Sequence, residues 1–209
     1  MSGSFYDIAA PVYGMWAALA ESRAHRRALA LMKECRGRNL LEVAVGTGAA
    51  YAELAAGAPA GHCVGVDLSI AMLKRARKRA RKGGGEPLLC RADSRALPLP
   101  GGLFDTLLNC YMLDLLPENG IPAALGEFER VLNSAGHLVL VTMGPQSPIV
   151  HRLWMALFRC FPLLVGGCRP IDAERQLLAS GWVIERREWI HQMGLCSDLF
   201  VARPPAKKS

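Results

Sequence analysis

The chain has 209 residues, a length that fits one globular domain with a hydrophobic core of its own. Hydrophobic residues make up 51% and charged residues 21% of the sequence, which excludes an intrinsically disordered chain. No uninterrupted apolar run reaches the roughly 18–20 residues of a membrane-spanning helix. The N-terminal charges follow the first apolar stretch instead of preceding it, unlike those of a secretory signal. These features predict a cytoplasmic, single-domain protein.

Cysteine usage argues against cross-links and metal. The sequence holds 7 cysteines, and no two of them form a C-x-x-C pair. An odd number without that spacing disfavours both a disulfide framework and a zinc site. Cys63, Cys90 and Cys110 lie in apolar segments, where we expect them to be small buried hydrophobes. The sequence therefore predicts no metal site.

The net charge of +7 is concentrated in one segment. Residues 74–82 include seven basic side chains and no acidic one, so the remainder of the chain is neutral. A basic patch of this local kind argues against nucleic acid as the partner of the whole surface. The segment ends a predicted helix, and three interpretations stay open for it: a solvated helix face, a contact for an anionic membrane surface, or a contact for nucleic acid.

Helical and strand patterns alternate along the first three quarters of the chain. Apolar residues at helical spacing predict a first helix over 14–36, within an N-terminal helical cap over 1–36. The apolar run 39–45 ends at Gly46-Thr47-Gly48, as expected of a buried parallel strand. The later patterns predict helix 49–58, strand 62–67, helix 70–82, strands 87–90 and 104–111, helix 121–132 and strand 136–143. This order predicts a parallel sheet with helices on both faces.

The last quarter has a different pattern. An apolar insert over 147–170 is followed by a predicted helix at 171–180. Two strand patterns, 183–190 and 197–203, then follow each other without a helix, which predicts an antiparallel hairpin. The complete prediction is an α/β fold: a Rossmann-like doubly wound sheet, mostly parallel, with a C-terminal antiparallel hairpin. It forms one domain over 1–209, with a cofactor-binding core at 38–146 and the final helix and hairpin at 171–203.

Candidate ligand-binding residues follow four of the predicted strands. In open α/β sheets, ligands bind beyond the carboxyl ends of the strands. Gly46 and Gly48 allow a close backbone approach and a tight turn into a helix after the first strand. Asp67, after the second strand, is placed to accept hydrogen bonds from two ribose hydroxyls, and Asp93-Ser94, after the third, to bind an adenine amine. With Asn109 after the fourth strand, the ordered set predicts a nucleoside-sized site.

This set resembles the class I S-adenosylmethionine-dependent methyltransferases. Their first motif, acid-x-G-x-G-x-G, reads Glu42-x-Ala44-x-Gly46-x-Gly48 here, with alanine in place of the first glycine. A stretch similar to the family's helix, turn and fifth strand spans 127–140, and the resemblance covers about residues 38–203. It implies that Asp67 binds the ribose, that Met72 packs on the adenine and that Asp93 holds its amine. The implied set for S-adenosyl-L-methionine is Glu42, Ala44, Gly46, Thr47, Gly48, Asp67, Leu68, Met72, Asp93, Ser94 and Asn109.

A narrower resemblance concerns the acceptor. Residues 6–13 are similar to the "YD-x-x-A-x-x-Y" opening of quinone-biosynthesis methyltransferases and bacterial phosphatidylethanolamine N-methyltransferases, as are residues 111–117 and the apolar insert. This resemblance implies a lipophilic small molecule or a lipid as acceptor, and a protein that is cytoplasmic or peripheral at a membrane. The predicted helix 149–161 either packs on the core, covers an apolar acceptor or contacts the membrane.

The chemistry demands little from the protein beyond alignment. The methyl group of the cofactor is already activated on a sulfonium, so orientation supplies much of the rate. Aromatic faces near the sulfonium add cation–π attraction. No catalytic residue is assigned, and the substrate-side candidates are Tyr6, Tyr13, Tyr111, Asp114, His151 and His191.

Several other activities lack their motifs. A nicotinamide dehydrogenase would need a Tyr-x-x-x-Lys and a third glycine where Tyr51 stands, and no P-loop is present. The Asn/Asp-Pro-Pro-aromatic motif of enzymes that methylate nucleobase amines is absent at 109–112. Methyl transfer to another small amine or thiol, and a non-catalytic binding protein with this fold, stay open. The residues specify neither the accepting atom nor the oligomeric state.

Overall fold

A computed structural model gives the fold of residues 22–35, 37–58, 62–144, 149, 152, 154–156, 160, 168–192 and 195–206. The elements in chain order are α1 Ser22–Glu34, β1 Leu40–Val43, α2 Ala49–Gly57, β2 Cys63–Asp67, α3 Ile70–Lys82, β3 Leu88–Arg91, β4 Phe104–Cys110, α4 Ile121–Val131, β5 Leu132–Met143, α5 Ala173–Ala179, β6 Val183–Gln192 and β7 Leu195–Arg203. Two short 3-10 helices, Leu113–Leu115 and Glu118–Gly120, lie between β4 and α4.

The strands form one seven-stranded sheet in the order β3-β2-β1-β4-β5-β7-β6. Strands β1 to β5 are parallel, whereas β7 runs antiparallel to both β5 and β6. Val43 on β1 pairs with Val66 on one side and Asn109 on the other, so the carboxyl ends of the central strands are level. The predicted Rossmann-like sheet with its C-terminal antiparallel hairpin is confirmed.

Two hydrophobic clusters cover the two faces of the sheet. On one face, α1, α2 and α3 bury residues such as Ala28, Leu54 and Ala76 against the sheet. On the other, α4 and α5 bury Phe128 and Leu177. The buried residues of each helix recur at intervals that keep one side of the helix turned to the sheet. This packing holds the carboxyl ends of the strands at one edge of a rigid layer.

Helix α3 shows how local sequence sets an element's ends. The Ser69 side chain caps the helix by accepting a hydrogen bond from the Met72 backbone N–H at 3.3 Å. Gly84, with a φ of 80°, ends it in a left-handed turn that glycine adopts without strain. The predicted helix 70–82 therefore matches its observed bounds, Ile70–Lys82.

The bounds differ from prediction mainly at β5. This strand begins at Leu132 rather than at residue 136, and Leu132 pairs with Phe104 ahead of a register shift in β4. Helix α1 begins at Ser22 within the described residues, and the predicted residues 14–21 lie outside them. The same is true of most of 147–170, so its role as an apolar insert or lid stays a prediction. Within the described part of the chain, no helix is long and apolar enough to cross a membrane.

Candidate functional site

The loop after β1 turns sharply at the carboxyl edge of the sheet. Gly46 and Gly48 have φ angles of 53° and 78°, in the left-handed region that favours glycine. A Cβ atom on Gly48 would lie 2.5 Å from the Ala76 Cα, so glycine also allows this loop to pack on α3. A Cβ atom on Gly46 would meet nothing within 4 Å. One glycine thus serves packing, and the other leaves backbone open beside the site.

Ala44 occupies the position where the resemblance expects a first glycine. Its φ is 64°, so an L-residue adopts the left-handed conformation at a cost of about 1–2 kcal/mol. The Ala44 backbone N–H donates to the Val66 carbonyl at 2.8 Å, which holds the turn against β2. The alanine is therefore accommodated with local strain and without loss of the loop's geometry.

Asp67 ties this loop to the start of α3. Its Oδ2 accepts a hydrogen bond from the Gly46 N–H at 2.8 Å, and its Oδ1 accepts one from the Ser69 N–H at 2.8 Å. Burial raises the pKa of the Asp67 carboxyl, and the backbone hydrogen bonds oppose that rise. Each carboxylate oxygen keeps a second lone pair, so the group can still accept from two ligand hydroxyls.

Two polar atoms at the ends of β1 and β4 are buried without a partner among the described residues. Glu42 Oε2 and Asn109 Oδ1 have none, although the Asn109 Nδ2 donates to the Val43 carbonyl at 2.9 Å. Burial, with the charge of Asp67 as a smaller cause, raises the pKa of Glu42 well above its usual value. Unpartnered buried acceptors are costly in a folded protein. A ligand that brings a hydrogen-bond donor such as an ammonium group fits these acceptors.

On the adenine side of the predicted site, Asp93 forms an ion pair that the sequence analysis did not predict. The Asp93 carboxylate accepts from Arg95 Nε at 3.0 Å and from Arg95 Nη2 at 2.6 Å. This ion pair lowers the pKa of Asp93. An adenine amine at Asp93 would therefore share the carboxylate with Arg95, a residue that sequence reasoning missed. The adjacent signal, an arginine two positions after the acid, was visible in the sequence.

The remaining predicted cofactor residues surround this edge. Met72 is buried, Leu68 is 37% exposed and Ser94 is half-buried. Thr47 Oγ1 accepts a hydrogen bond from Arg79 Nη1 at 3.2 Å, which links the glycine loop to α3. The fold thus brings all eleven predicted cofactor residues to the carboxyl ends of β1 to β4, and their binding roles stay predictions.

Tyr111 stands at the carboxyl end of β4 in a strained conformation. Its φ is 55°, and its backbone N–H donates to the Val141 carbonyl at 2.7 Å. Its hydroxyl lies 2.6 Å from the Ser197 Oγ on β7, and its ring centroid lies 5.9 Å from that of His25 on α1. Strain of this kind concentrates at functional sites. Sequence reasoning named Tyr111 but missed His25 and Ser197, because only the tertiary fold brings them together.

Asp114 is fully buried within the first 3-10 helix, Leu113–Leu115. Its Oδ2 accepts from the Met143 N–H at 3.0 Å, and its Oδ1 has no partner among the described residues. Burial raises the pKa of Asp114 to about 8, so the carboxyl is largely protonated at neutral pH. This group is therefore a neutral hydrogen-bonding group between the ends of β4 and β5, and not an open carboxylate.

Of the other substrate-side candidates, His191 lies near this edge, because the preceding Ile190 pairs with Ser197 on β7 and Ser197 pairs with Met143 at the end of β5. His191 is exposed on β6, with its Nε2 4.0 Å from the Cys196 Sγ. Tyr6, Tyr13 and His151 lie outside the described residues. Within the residues that the structure describes, no group of three or more His, Cys, Asp and Glu side chains could hold a metal ion.

Comparisons with known proteins agree with this geometry. A family described as methyltransferase domain matches residues 40–136. The chain is 34% identical over 151 residues to the demethylmenaquinone methyltransferase of Thermus thermophilus, an alignment that covers 70% of this chain and 67% of that protein. It is 34% identical over 125 residues to the phosphatidylethanolamine N-methyltransferase of Cereibacter sphaeroides, covering 57% of this chain and 58% of that protein. The solved structure of the [4+2]-cyclase SpnF superposes with a TM-score of 0.73 at 19% identity, covering 98% of this chain and 96% of that chain.

The chain belongs to the class I S-adenosylmethionine-dependent methyltransferases. The Thermus relative establishes the family, and SpnF establishes the fold alone because its identity is low. The enzyme's cofactor is S-adenosyl-L-methionine, and its reaction is methyl transfer. The alignment spans less than two thirds of the Cereibacter relative, so the acceptor does not follow from that name.

Proposed function

We propose that the acceptor is a small lipophilic or membrane-associated molecule, quinone-like or a phospholipid headgroup. The observation that carries this proposal is the pair of curated relatives, whose names specify a menaquinone precursor and phosphatidylethanolamine. The similarity to the quinone enzyme extends over 70% of this chain, beyond the residues that match the methyltransferase domain.

The acceptor side of the site supports this class. Tyr111 closes the end of β4, with His25 on α1 against its ring and Ser197 on β7 at its hydroxyl. Half-buried Cys110 and Ile190 pack against the same apolar cluster. An aromatic and apolar surface of this kind favours a ring or an acyl-linked headgroup over a strongly hydrated solute.

The chain's own residues perform the binding and the alignment. S-adenosylmethionine, when bound, supplies a methyl group that is already activated on a sulfonium. Asp67 holds the Gly46 loop in place and presents its carboxylate to the ribose, which orients the donor. The Tyr111 ring provides an aromatic face at the end of β4, where it attracts positive charge. His25, near the start of α1, lies against the Tyr111 ring at this end of the sheet. Alignment of this kind can supply roughly 7–11 kcal/mol of a barrier.

A lipophilic acceptor brings the protein to a membrane surface. In this proposal the protein is cytoplasmic and peripheral at the membrane, through residues 74–82 or through 149–161. Of the second segment, Ile149 is exposed, and the Trp154 Nε1 donates to the Cys168 carbonyl at 3.0 Å. The described part of this segment therefore has one exposed apolar side chain and one hydrogen bond to the chain that leads into α5.

The test follows the methyl group. The protein is incubated with methyl-labelled S-adenosylmethionine and a bacterial cell extract, and the organic, aqueous and macromolecular fractions are separated. We expect label in the organic phase, and much less of it with the Asp67→Ala variant at a limiting concentration of S-adenosylmethionine, which serves as the control for donor binding. Label confined to the aqueous fraction would replace the lipophilic acceptor with a soluble small molecule such as an amine or thiol. Label in macromolecules would contradict both.

A further inference from the structure

The cations of α3 differ from six arginines elsewhere in the described structure. Ion pairs with carboxylates engage Arg27, Arg95, Arg130, Arg186, Arg187 and Arg203. On α3, by contrast, Lys74, Arg77, Lys78, Arg81 and Lys82 have no carboxylate partner among the described residues, and all five are exposed. We call these five side chains the α3 stripe. Its charge is therefore not neutralised by an ion pair within the residues that the structure describes.

Helical spacing places the α3 stripe on one side of the helix. The five residues recur at intervals of three and four, which are neighbouring positions on a helix surface. They line one shallow surface depression of about 430 Å³. The opposite side of α3 buries Met72, Leu73, Ala76 and Ala80 against the sheet. The stripe is therefore about 12 Å long at 1.5 Å per residue, and it is presented outward by a firmly packed helix.

The α3 stripe weakens the helix that carries it. Like charges three and four residues apart destabilise a helix, and no acidic residue interrupts this run. Cations near a helix C-terminus interact favourably with the helix dipole, but that effect falls off within the last turn. It does not reach Lys74 or Arg77. A partner that carries negative charge removes the repulsion and accounts for the whole stripe.

The surroundings of the stripe favour an anionic bilayer over nucleic acid. Ile70, in the first turn of α3, is 49% exposed, and Leu88 on the adjacent strand β3 is 44% exposed. Helix α3 contains no aromatic residue, so it lacks the side chains on which single-stranded nucleic acid stacks. Cations next to exposed apolar side chains suit the headgroup region, where charge and apolar contact act together.

We propose that the α3 stripe is the docking surface for an anionic phospholipid bilayer. This inference rests on the proposed function, because a lipophilic acceptor gives the chain a reason to bind a membrane. Helix α3 begins directly after Asp67 and Ser69, at the rim of the donor site. A bilayer in contact with the first turns of α3 therefore also lies beside the edge of the sheet where the methyl group is transferred.

The test compares two variants with equal charge. R77A/K78A/R81A removes three cations of the stripe, and K33A/R38A/R175A removes three exposed cations elsewhere. Binding is measured by co-sedimentation with vesicles of phosphatidylcholine containing phosphatidylglycerol, and with phosphatidylcholine alone, between 0.05 and 0.5 M NaCl. We expect the stripe variant to lose roughly 100-fold in affinity for the anionic vesicles and the control variant to lose less than tenfold. Wild-type binding should fall steeply as salt rises.

Other results overturn the inference. These are equal binding by the stripe variant and the wild type, no wild-type binding at low salt, or wild-type binding to an oligonucleotide and not to vesicles. Thermal unfolding and calorimetric titration with S-adenosylmethionine establish that the stripe variant is folded. Methyl label in the organic phase tests the proposed function separately from the docking surface. Vesicle binding through the stripe without such label contradicts the lipophilic acceptor and leaves the docking surface standing.

Discussion

The charged side chains at the two edges of the sheet differ in whether they form ion pairs. At the β6 edge, Arg27 on α1 donates two hydrogen bonds of 2.7 Å to the Glu188 carboxylate, and Arg186 pairs with Glu34. Those arginines lower the pKa values of Glu188 and Glu34. At the β3 edge, the α3 stripe has no acid within reach among the described residues. The ion pairs at the β6 edge hold α1 on the hairpin, whereas the cations at the β3 edge are available to a partner.

A third arrangement lies between these edges. Asp114 is neither paired nor exposed, and burial keeps its carboxyl protonated. The same chain thus manages ionisable groups by pairing, by exposure and by protonation. Each arrangement affects the free energy of unfolding in a different way. Breaking a buried ion pair is costly, and reversing one charge in a row of like charges removes repulsion. A buried protonated acid makes the stability depend on pH.

The largest expected effect is the pH dependence that Asp114 imposes. Its pKa is about 8 in the folded chain and about 4 when unfolded, so the folded chain holds this proton more tightly. Its contribution to stability is complete below pH 4 and is lost as pH rises towards 8. We expect a fall of about 1.4 kcal/mol per pH unit in the free energy of unfolding, or roughly 4 kcal/mol from pH 5 to 8. Urea unfolding of wild type and Asp114→Asn across this range measures it, and an unchanged slope in the variant would contradict it.

Next in size is the most buried ion pair of the hairpin. Arg187 donates to both oxygens of Asp198, at 3.0 and 2.6 Å, and the Asp198 side chain is only 6% exposed. Arg187→Leu leaves that carboxylate buried and unpaired, so we expect a loss of about 3 kcal/mol in unfolding free energy. The matched change Arg203→Leu breaks an ion pair whose arginine is 50% exposed and should cost less than about 1 kcal/mol. Equal losses in urea unfolding would erase the distinction between buried and exposed pairs.

The two carboxylates of the donor site also differ in their partners, and this difference predicts a smaller effect. Asp67 is bound by backbone N–H groups, while Asp93 is already paired with Arg95. Asp67→Ala removes two hydrogen bonds to a charged acceptor and releases the glycine loop, so affinity for S-adenosylmethionine should fall by about 100-fold, roughly 2.7 kcal/mol. Asp93→Ala removes one bond from a group shared with Arg95 and should cost about tenfold. Calorimetric titration measures both, and the reverse order would refute the assigned roles.

The smallest effect concerns the α3 stripe itself. Lys78 has like-charged neighbours at 74, 75, 81 and 82, so Lys78→Glu converts four repulsive pairs into attractive ones. At a few tenths of a kcal/mol per pair, the variant should be more stable by about 1 kcal/mol at low salt. Thermal unfolding should show that gain shrinking in 1 M NaCl. A destabilised variant would mean that Lys78 makes a contact within the fold.

Much of the architecture was predictable from local pattern. The alternation of helical and strand periodicity predicted every described strand of the sheet, and the three glycines at 83–85 marked the end of α3. The strand ends also indicated the donor site, because polar residues and glycines follow strands that parallel pairing makes level. The early start of β5 was missed, since residues 132–135 extend the strand through pairing with β4 and not through their own apolar pattern.

The sequence by itself determined the strand-end site, the family resemblance and the placement of the excess charge in one helix. These features depend on residues close together in the chain, where periodicity and spacing act directly. Only the tertiary structure decided which charges are neutralised, that Tyr111 meets His25 and Ser197, and that Asp114 keeps its proton. Each depends on burial, or on contacts between residues far apart in sequence, such as Tyr111 and Ser197 or Arg27 and Glu188. The pattern of neighbouring residues in the sequence does not predict such contacts, because the packing of the sheet and its helices creates them.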